Sequence, residues 1–180
     1  MLTPALPLIV YPANEYLSMY WPYVLGYLFA TIGPNMMPTV SVPLWKRLGK
    51  DPDKLGENPL YDPYIGRVVG TIERPLYVAA LLADQPAFIG IWLGLKVAGS
   101  WSRWSGDSDL PDGGKVAGRS VFNIMLIGSA VSLIWSLVAA KIIQFLQWGD
   151  YVSAISMAAA VVGAHYGFNN WLVRNIKKKS

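Results

Sequence analysis

The stretch SVFNIMLIGSAVSLIWSLVAA, Ser120–Ala140, contains no charged residue, and YVSAISMAAAVVGAHYGFNNWLV, Tyr151–Val173, is broken only by His165. Each is close to the roughly 20 residues that cross a hydrocarbon core as an α-helix. These blocks predict spans over about 120–141 and 150–173, joined around Gln147-Trp148-Gly149-Asp150, and they set the fold class as an all-α integral membrane protein.

Working back from Ser120, residues 102–119 read as a polar loop rich in Gly, Asp and Pro. Before it, residues 64–101 are apolar but punctuated by Glu73-Arg74-Pro75, Asp84-Gln85-Pro86 and Lys96. Asp-Gln-Pro is a turn signal, with proline suited to the first turn of the following helix, so two antiparallel helices are expected over about 63–83 and 86–101. The second is short for a crossing. A re-entrant hairpin is the alternative, since irregular backbone at membrane depth requires burial in protein or a water-filled cavity.

The first apolar block runs from Leu17 and meets Gly33-Pro34 and Pro38. An internal proline removes a backbone donor and crowds the carbonyl four residues back, so a span over about 17–43 is expected to break or kink between Gly33 and Pro38. Met1–Tyr20 lacks a basic n-region and is interrupted by Pro4, Pro7 and Pro12, which does not fit a cleaved secretory signal. The whole of 1–180 reads as one polytopic domain, a bundle of about five hydrophobic helices with the second and third forming a short hairpin.

Composition agrees, because 53% hydrophobic and 14% charged residues leave more apolar surface than a water-soluble domain of 180 residues conceals. The net charge of +4 does not indicate nucleic acid, since Lys46, Arg47, Lys50, Lys54, Arg67, Arg103, Arg119, Arg174 and Lys177–Lys179 flank the apolar blocks and form no separate polar face. Placing these basic segments on one side makes that side cytoplasmic, with the N-terminus outside, and suits a bacterial inner membrane. Trp21, Trp45, Trp101, Trp104, Trp148 and Trp171 fall near proposed span ends, where indole rings sit at headgroup level.

Three constellations stand out. If the hairpin turn is centred between Asp84 and Gln85, Glu73 and Lys96 lie about 17 Å from it along their helices, and so at matching depth. An intramembrane charge costs at least about 2.5 kcal/mol on insertion scales and is therefore paired, hydrated or functional. Glu73, Arg74 and Lys96 are thus an internal ion pair with a snorkelling cation, or an ion relay, or an anchor for an anionic headgroup. The ion pair is the plainer reading. Pro75 would also free the Thr71 carbonyl to accept a hydrogen bond.

His165 lies one helical turn from Asn169, with Asn123 on the preceding span as a partner. Such a set suits an interhelical hydrogen bond more often than a pigment, quinone or proton site. Small residues recur at helical spacing as Gly90 and Gly94; Gly128, Ser132 and Ser136; and Ala159, Gly163 and Gly167, and such rows are normally close-packing faces.

Enzymatic routes find little support. There is no cysteine and one histidine, so thiolate chemistry and a multi-histidine metal site within one chain are excluded. Asp107, Asp109 and Asp112-Gly113 miss the spacing of a calcium loop. No Walker loop, dinucleotide fingerprint, nucleophile elbow or zinc-protease motif is present. No cofactor is specified by any of these residues, and no internal repeat suggests an inverted-repeat transporter. The expected function is an accessory or structural membrane subunit, lying in a lipid bilayer against other membrane proteins or its own copies. The alternatives are a small transporter or proton-coupled channel using Glu73, Arg74 and Lys96, and, third, an enzyme acting on lipid headgroups.

Overall fold

The computed structural model describes residues 13–48, 63–99, 101, 107–109 and 115–177. Six helices account for most of them: α1 (Ala13–Met36), α2 (Ser41–Arg47), α3 (Pro63–Leu82), α4 (Pro86–Gly99), α5 (Gly118–Gln147) and α6 (Tyr151–Lys177). Two short strands, β1 (Asp107–Asp109) and β2 (Lys115–Ala117), pair antiparallel ahead of α5, with Ser108 opposite Val116. This small hairpin replaces part of the expected loop; three-residue strands are too brief for alternation to show in sequence. Asp112-Gly113 and Trp104 lie outside the described residues.

Helix α5 is the spine. Its buried residues Val121, Ile124, Ser132, Trp135, Ser136, Ala139 and Ile143 follow the three-and-four spacing of one helical face. Helices α1, α3 and α6 pack along it, α4 lies against α3, and α2 rests on α5 and α6. Three apolar clusters fill the interior: Trp45 with Val121 and Ile124 at one end of α5, and toward its other end Ala30, Val78, Ala139 and Ile143 on one side of α3 and Tyr77, Ala80 and Ile89 on another. Trp45 therefore belongs to the core, unlike Trp101, Trp148 and Trp171, which are exposed.

The segments Gly118–Gln147 and Tyr151–Asn175 are long and apolar enough to cross a membrane. The other expected spans meet that description less fully. Helix α3 has 20 residues but carries Arg67, Glu73 and Arg74, and α4 has only 14, about 21 Å of rise. Helix α1 continues through Pro22, Gly33 and Pro34 and ends at Met36, so the expected span to residue 43 is instead a helix, an irregular link over 37–40 and the separate α2. The Met37 N–H closes the last turn onto the Pro34 carbonyl at 3.2 Å.

The α3–α4 and α5–α6 turns have the same form. In each, an N–H reaches back five residues, Gln85 to the Ala80 carbonyl at 2.8 Å and Asp150 to the Phe145 carbonyl at 2.9 Å, around a left-handed residue, Asp84 (φ +54°) or Gly149 (φ +75°). Pro86 and Tyr151 then open the next helix. Asp150 caps α6 by accepting from the Ser153 N–H at 3.0 Å. Hydrogen bonds from the Ser153 side chain and backbone hold the Asp150 carboxyl below its ordinary value.

Candidate functional site

The tight α3–α4 turn fixes the register of its two helices, and the register brings Glu73 to Lys96. The Lys96 ammonium donates to Glu73 Oε1 at 2.7 Å, with Glu73 2% and Lys96 22% exposed. Two further groups, which the sequence did not single out, complete this cluster. Trp92, one turn before Lys96, donates its indole N–H to the same Oε1 at 3.0 Å, and Ser129 of α5 accepts from Lys96 at 3.1 Å. The hydroxyl of Tyr77, one turn beyond Glu73, is buried without a partner among the described residues.

Arg74 points the other way, toward α1. It is 4% exposed, and its Nη2 donates to Asn35 Oδ1 at 2.9 Å, to the Thr31 carbonyl at 3.2 Å and to Thr71 Oγ1 at 3.3 Å. It meets the Thr71 hydroxyl, and not the carbonyl that Pro75 was expected to free. Asn35 Nδ2 donates to Thr71 Oγ1 at 2.8 Å, and Thr71 donates to the Arg67 carbonyl at 2.9 Å. Arg67 donates to Thr39 Oγ1 and, at 3.4 Å, to the Met37 carbonyl, so it closes the frayed end of α1. Gly70 permits the arrangement, since a Cβ there would lie 2.9 Å from Arg74 Nη1 and 3.0 Å from Ser132 Oγ.

The expected trio is thus split into two adjoining networks on opposite sides of α3. Glu73 and Lys96 form one, and Arg74 joins α1 residues in the other. Buried Ser136 ties α5 to this region through a contact of 3.3 Å to the Arg74 carbonyl, its hydroxyl also lying 2.9 Å from the Ser132 carbonyl of its own helix.

His165 does not meet Asn123. Trp135 Nε1 lies 3.3 Å from His165 Nδ1, and His165 Nε2 lies 3.0 Å from the Pro38 carbonyl. An indole nitrogen can only donate and a carbonyl can only accept, so the ring is neutral with its proton on Nε2. Both ring nitrogens are then occupied, and His165 ties α5 and α6 to the link after α1. Antiparallel packing explains the missed pairing: Asn123 is 12 residues, about 18 Å, from Trp135 along α5 and is exposed. Asn169 is buried, and its Oδ1 has no partner among the described residues.

The small-residue rows divide unevenly. Ser132 and Ser136 face the interior, but Gly128 does not, and buried Ser129 takes the place expected for it. Gly90, Gly94, Gly163 and Gly167 have open space where a Cβ would stand, and Ala159 is exposed. Close approaches occur instead at Gly26 against Ile143, at Gly33 against the Trp135 ring, and at Gly70. The signal for Gly26 and Gly33 is their seven-residue spacing on α1.

Among the described residues, no group of three or more His, Asp or Glu side chains converges on a point that could hold a metal ion. Comparison of the chain with protein-family models, with curated proteins and with solved structures finds no match.

Proposed function

We propose that the chain is a five-span membrane protein, N-terminus outside and C-terminus cytoplasmic in a bacterial inner membrane, that acts as an accessory or structural subunit packed against other membrane helices. The observation that carries this reading is the contrast between two sets of helix glycines. Gly26, Gly33 and Gly70 are filled by neighbours within the chain, whereas Gly90 with Gly94 and Gly163 with Gly167 lie open on outer faces. In lipid, where helix association depends on close packing and hydrogen bonding, open glycine faces are where a further helix gains contact.

The outer surface supports the same reading. Val24, Leu28, Ile32 and Met36 on α1, Val68 and Ile72 on α3, Ile91 and Leu95 on α4, and Val152 and Ile155 on α6 are all exposed. Apolar surface this continuous suits hydrocarbon or another membrane protein. The described ionic groups of α3 and α4 are turned inward and bonded within the chain, as a scaffold requires.

Native extraction in mild detergent, followed by mass spectrometry and an absorbance spectrum, tests this. The expected result is a stoichiometric membrane-protein partner or a second copy, lost in Gly163→Leu while the yield of the chain itself is unchanged. A homogeneous single-chain particle would overturn it.

One observation favours a second reading, a small ion-coupled transporter. Glu73 and Arg74 are nearly fully buried at a depth where charge is expensive. That reading expects Glu73→Gln to abolish proton-coupled flux into proteoliposomes without loss of folded protein.

A further inference from the structure

Among the described residues Glu73 and Arg74 are the buried charged side chains, and they do not pair with each other. Glu73 Oε1 accepts from Lys96 and Trp92, which leaves the Arg74 guanidinium to neutral partners. Arg67 lies seven residues before Arg74, on the same face of α3, and among the described residues neither arginine is ion-paired to a carboxylate. Neutral groups satisfy much of Arg74 but not all of it. Its Nε–H is buried with no acceptor among the described residues, in a side chain only 4% exposed. An orphaned guanidinium N–H is a costly feature to retain without a partner, and a charged acceptor is the partner it fits best.

The geometry concentrates these donors. Side chains on a helix lean toward its N-terminus, and Arg74 folds back over the turn of Gly70 and Thr71, as the 2.9 Å approach of its Nη1 to an ideal Gly70 Cβ shows. Its guanidinium therefore lies near the level of residues 70–71, while that of Arg67, leaning the same way, reaches Thr39 and the Met37 carbonyl, the two arginines being about 10 Å of rise apart along α3. Thr39 and Asn35 face this row from the end of α1, bonded to Arg67 and Arg74 respectively. We propose that the Arg67-x-x-Gly70-Thr71-x-x-Arg74 face of α3, closed by Asn35 and Thr39, binds a phosphate-type oxyanion. Two guanidinium groups on one helix face offer donors to the several acceptor oxygens of a phosphate.

The oxyanion is a lipid phosphate headgroup or free phosphate. The headgroup source rests on the membrane reading above, in which Gly70, about 10 Å of rise from Pro63, lies just inside the cytoplasmic interface; the free source does not. Both are tested by thermal unfolding of the detergent-purified chain. Inorganic phosphate is titrated at constant ionic strength, and short-chain phosphatidic acid is compared with phosphatidylcholine in neutral micelles. Variants are Arg67→Gln, Gly70→Ala and, as an exposed charge-matched control, Lys141→Gln.

Saturable stabilisation by inorganic phosphate, roughly tenfold or more weaker in Arg67→Gln and Gly70→Ala but unchanged in Lys141→Gln, is the result expected of a free-phosphate site. The same pattern with phosphatidic acid alone identifies the headgroup. No saturable response of the unaltered chain to either probe overturns the proposal, whether or not the variants fold, as does an equal weakening in Lys141→Gln. If the chain proves soluble without detergent, the membrane reading fails while the phosphate titration still decides the site.

Discussion

Replacing Glu73 with Gln removes the charge from the α3–α4 pair while keeping its shape and one acceptor oxygen. That oxygen can still take the Trp92 indole N–H, now 3.0 Å from Oε1, so the loss falls on Lys96. Breaking one side of a buried ion pair costs about 3–5 kcal/mol because it strands the other charge. Lys96 is 22% exposed and keeps Ser129 at 3.1 Å, which places the expected loss toward the lower end, about 3 kcal/mol. Glu73→Gln combined with Lys96→Met replaces the pair by neutral groups of similar volume and should recover all but about 1 kcal/mol. Equilibrium unfolding in mixed detergent micelles, arranged as a double-mutant cycle, measures the coupling. A single-variant loss under about 1 kcal/mol, or a double variant less stable than Glu73→Gln alone, would refute the assignment of this pair to fold stability.

Other substitutions probe the remaining contacts. Gly26→Ala drives a methyl group into Ile143 and should destabilise by about 1–3 kcal/mol, with partial rescue by Ile143→Ala, which removes both clashing carbons, in the same unfolding assay. His165→Leu leaves the buried Trp135 N–H without its acceptor; a loss of about 1–3 kcal/mol and a shift in the indole N–H resonance are expected, and an unchanged resonance would place the bond elsewhere. The Asp150 carboxyl is held below its unfolded value of about 3.9, so its contribution is complete above that pH and disappears as pH falls through the lower folded value. Hydrogen exchange at the start of α6 should therefore accelerate only in that acid range, and Asp150→Ala should accelerate it at neutral pH and flatten the dependence.

Much of the local structure was legible along the chain. Ala83-Asp84-Gln85-Pro86 marked the α3–α4 turn because proline opens a helix and Asp tolerates the left-handed conformation at its end. Counting from that turn placed Glu73 beside Lys96, since a short turn leaves antiparallel helices no freedom to slide. The break after α1 fell inside the stretch marked by Gly33 and Pro38, although the helix absorbed Pro34 before ending. The β1–β2 pairing was not legible, as a three-residue strand has no periodicity to read.

The contents of the site were less accessible. Asn35, Thr39, Thr71 and Trp92 are ordinary residues in sequence, and only the packing of α1 and α4 on α3 turns them toward Arg74, Arg67 and Glu73. Rows of small residues showed where helices could approach, but not which rows the chain itself uses. Gly26 and Gly33 are occupied, while Gly163 and Gly167 remain open.

The sequence by itself determined that the chain is helical, that two of its helices are long and apolar enough to cross a membrane, and that Glu73 and Lys96 lie equally far from the turn between their helices. These are matters of composition, spacing and short turns, which act locally. Tertiary structure decided that Arg74 turns away from Glu73 to α1, that His165 joins Trp135 to the Pro38 carbonyl, and that α5 is the spine. Those outcomes depend on which helix faces meet, and a helix with apolar residues on most sides does not reveal its neighbours until all of them are packed.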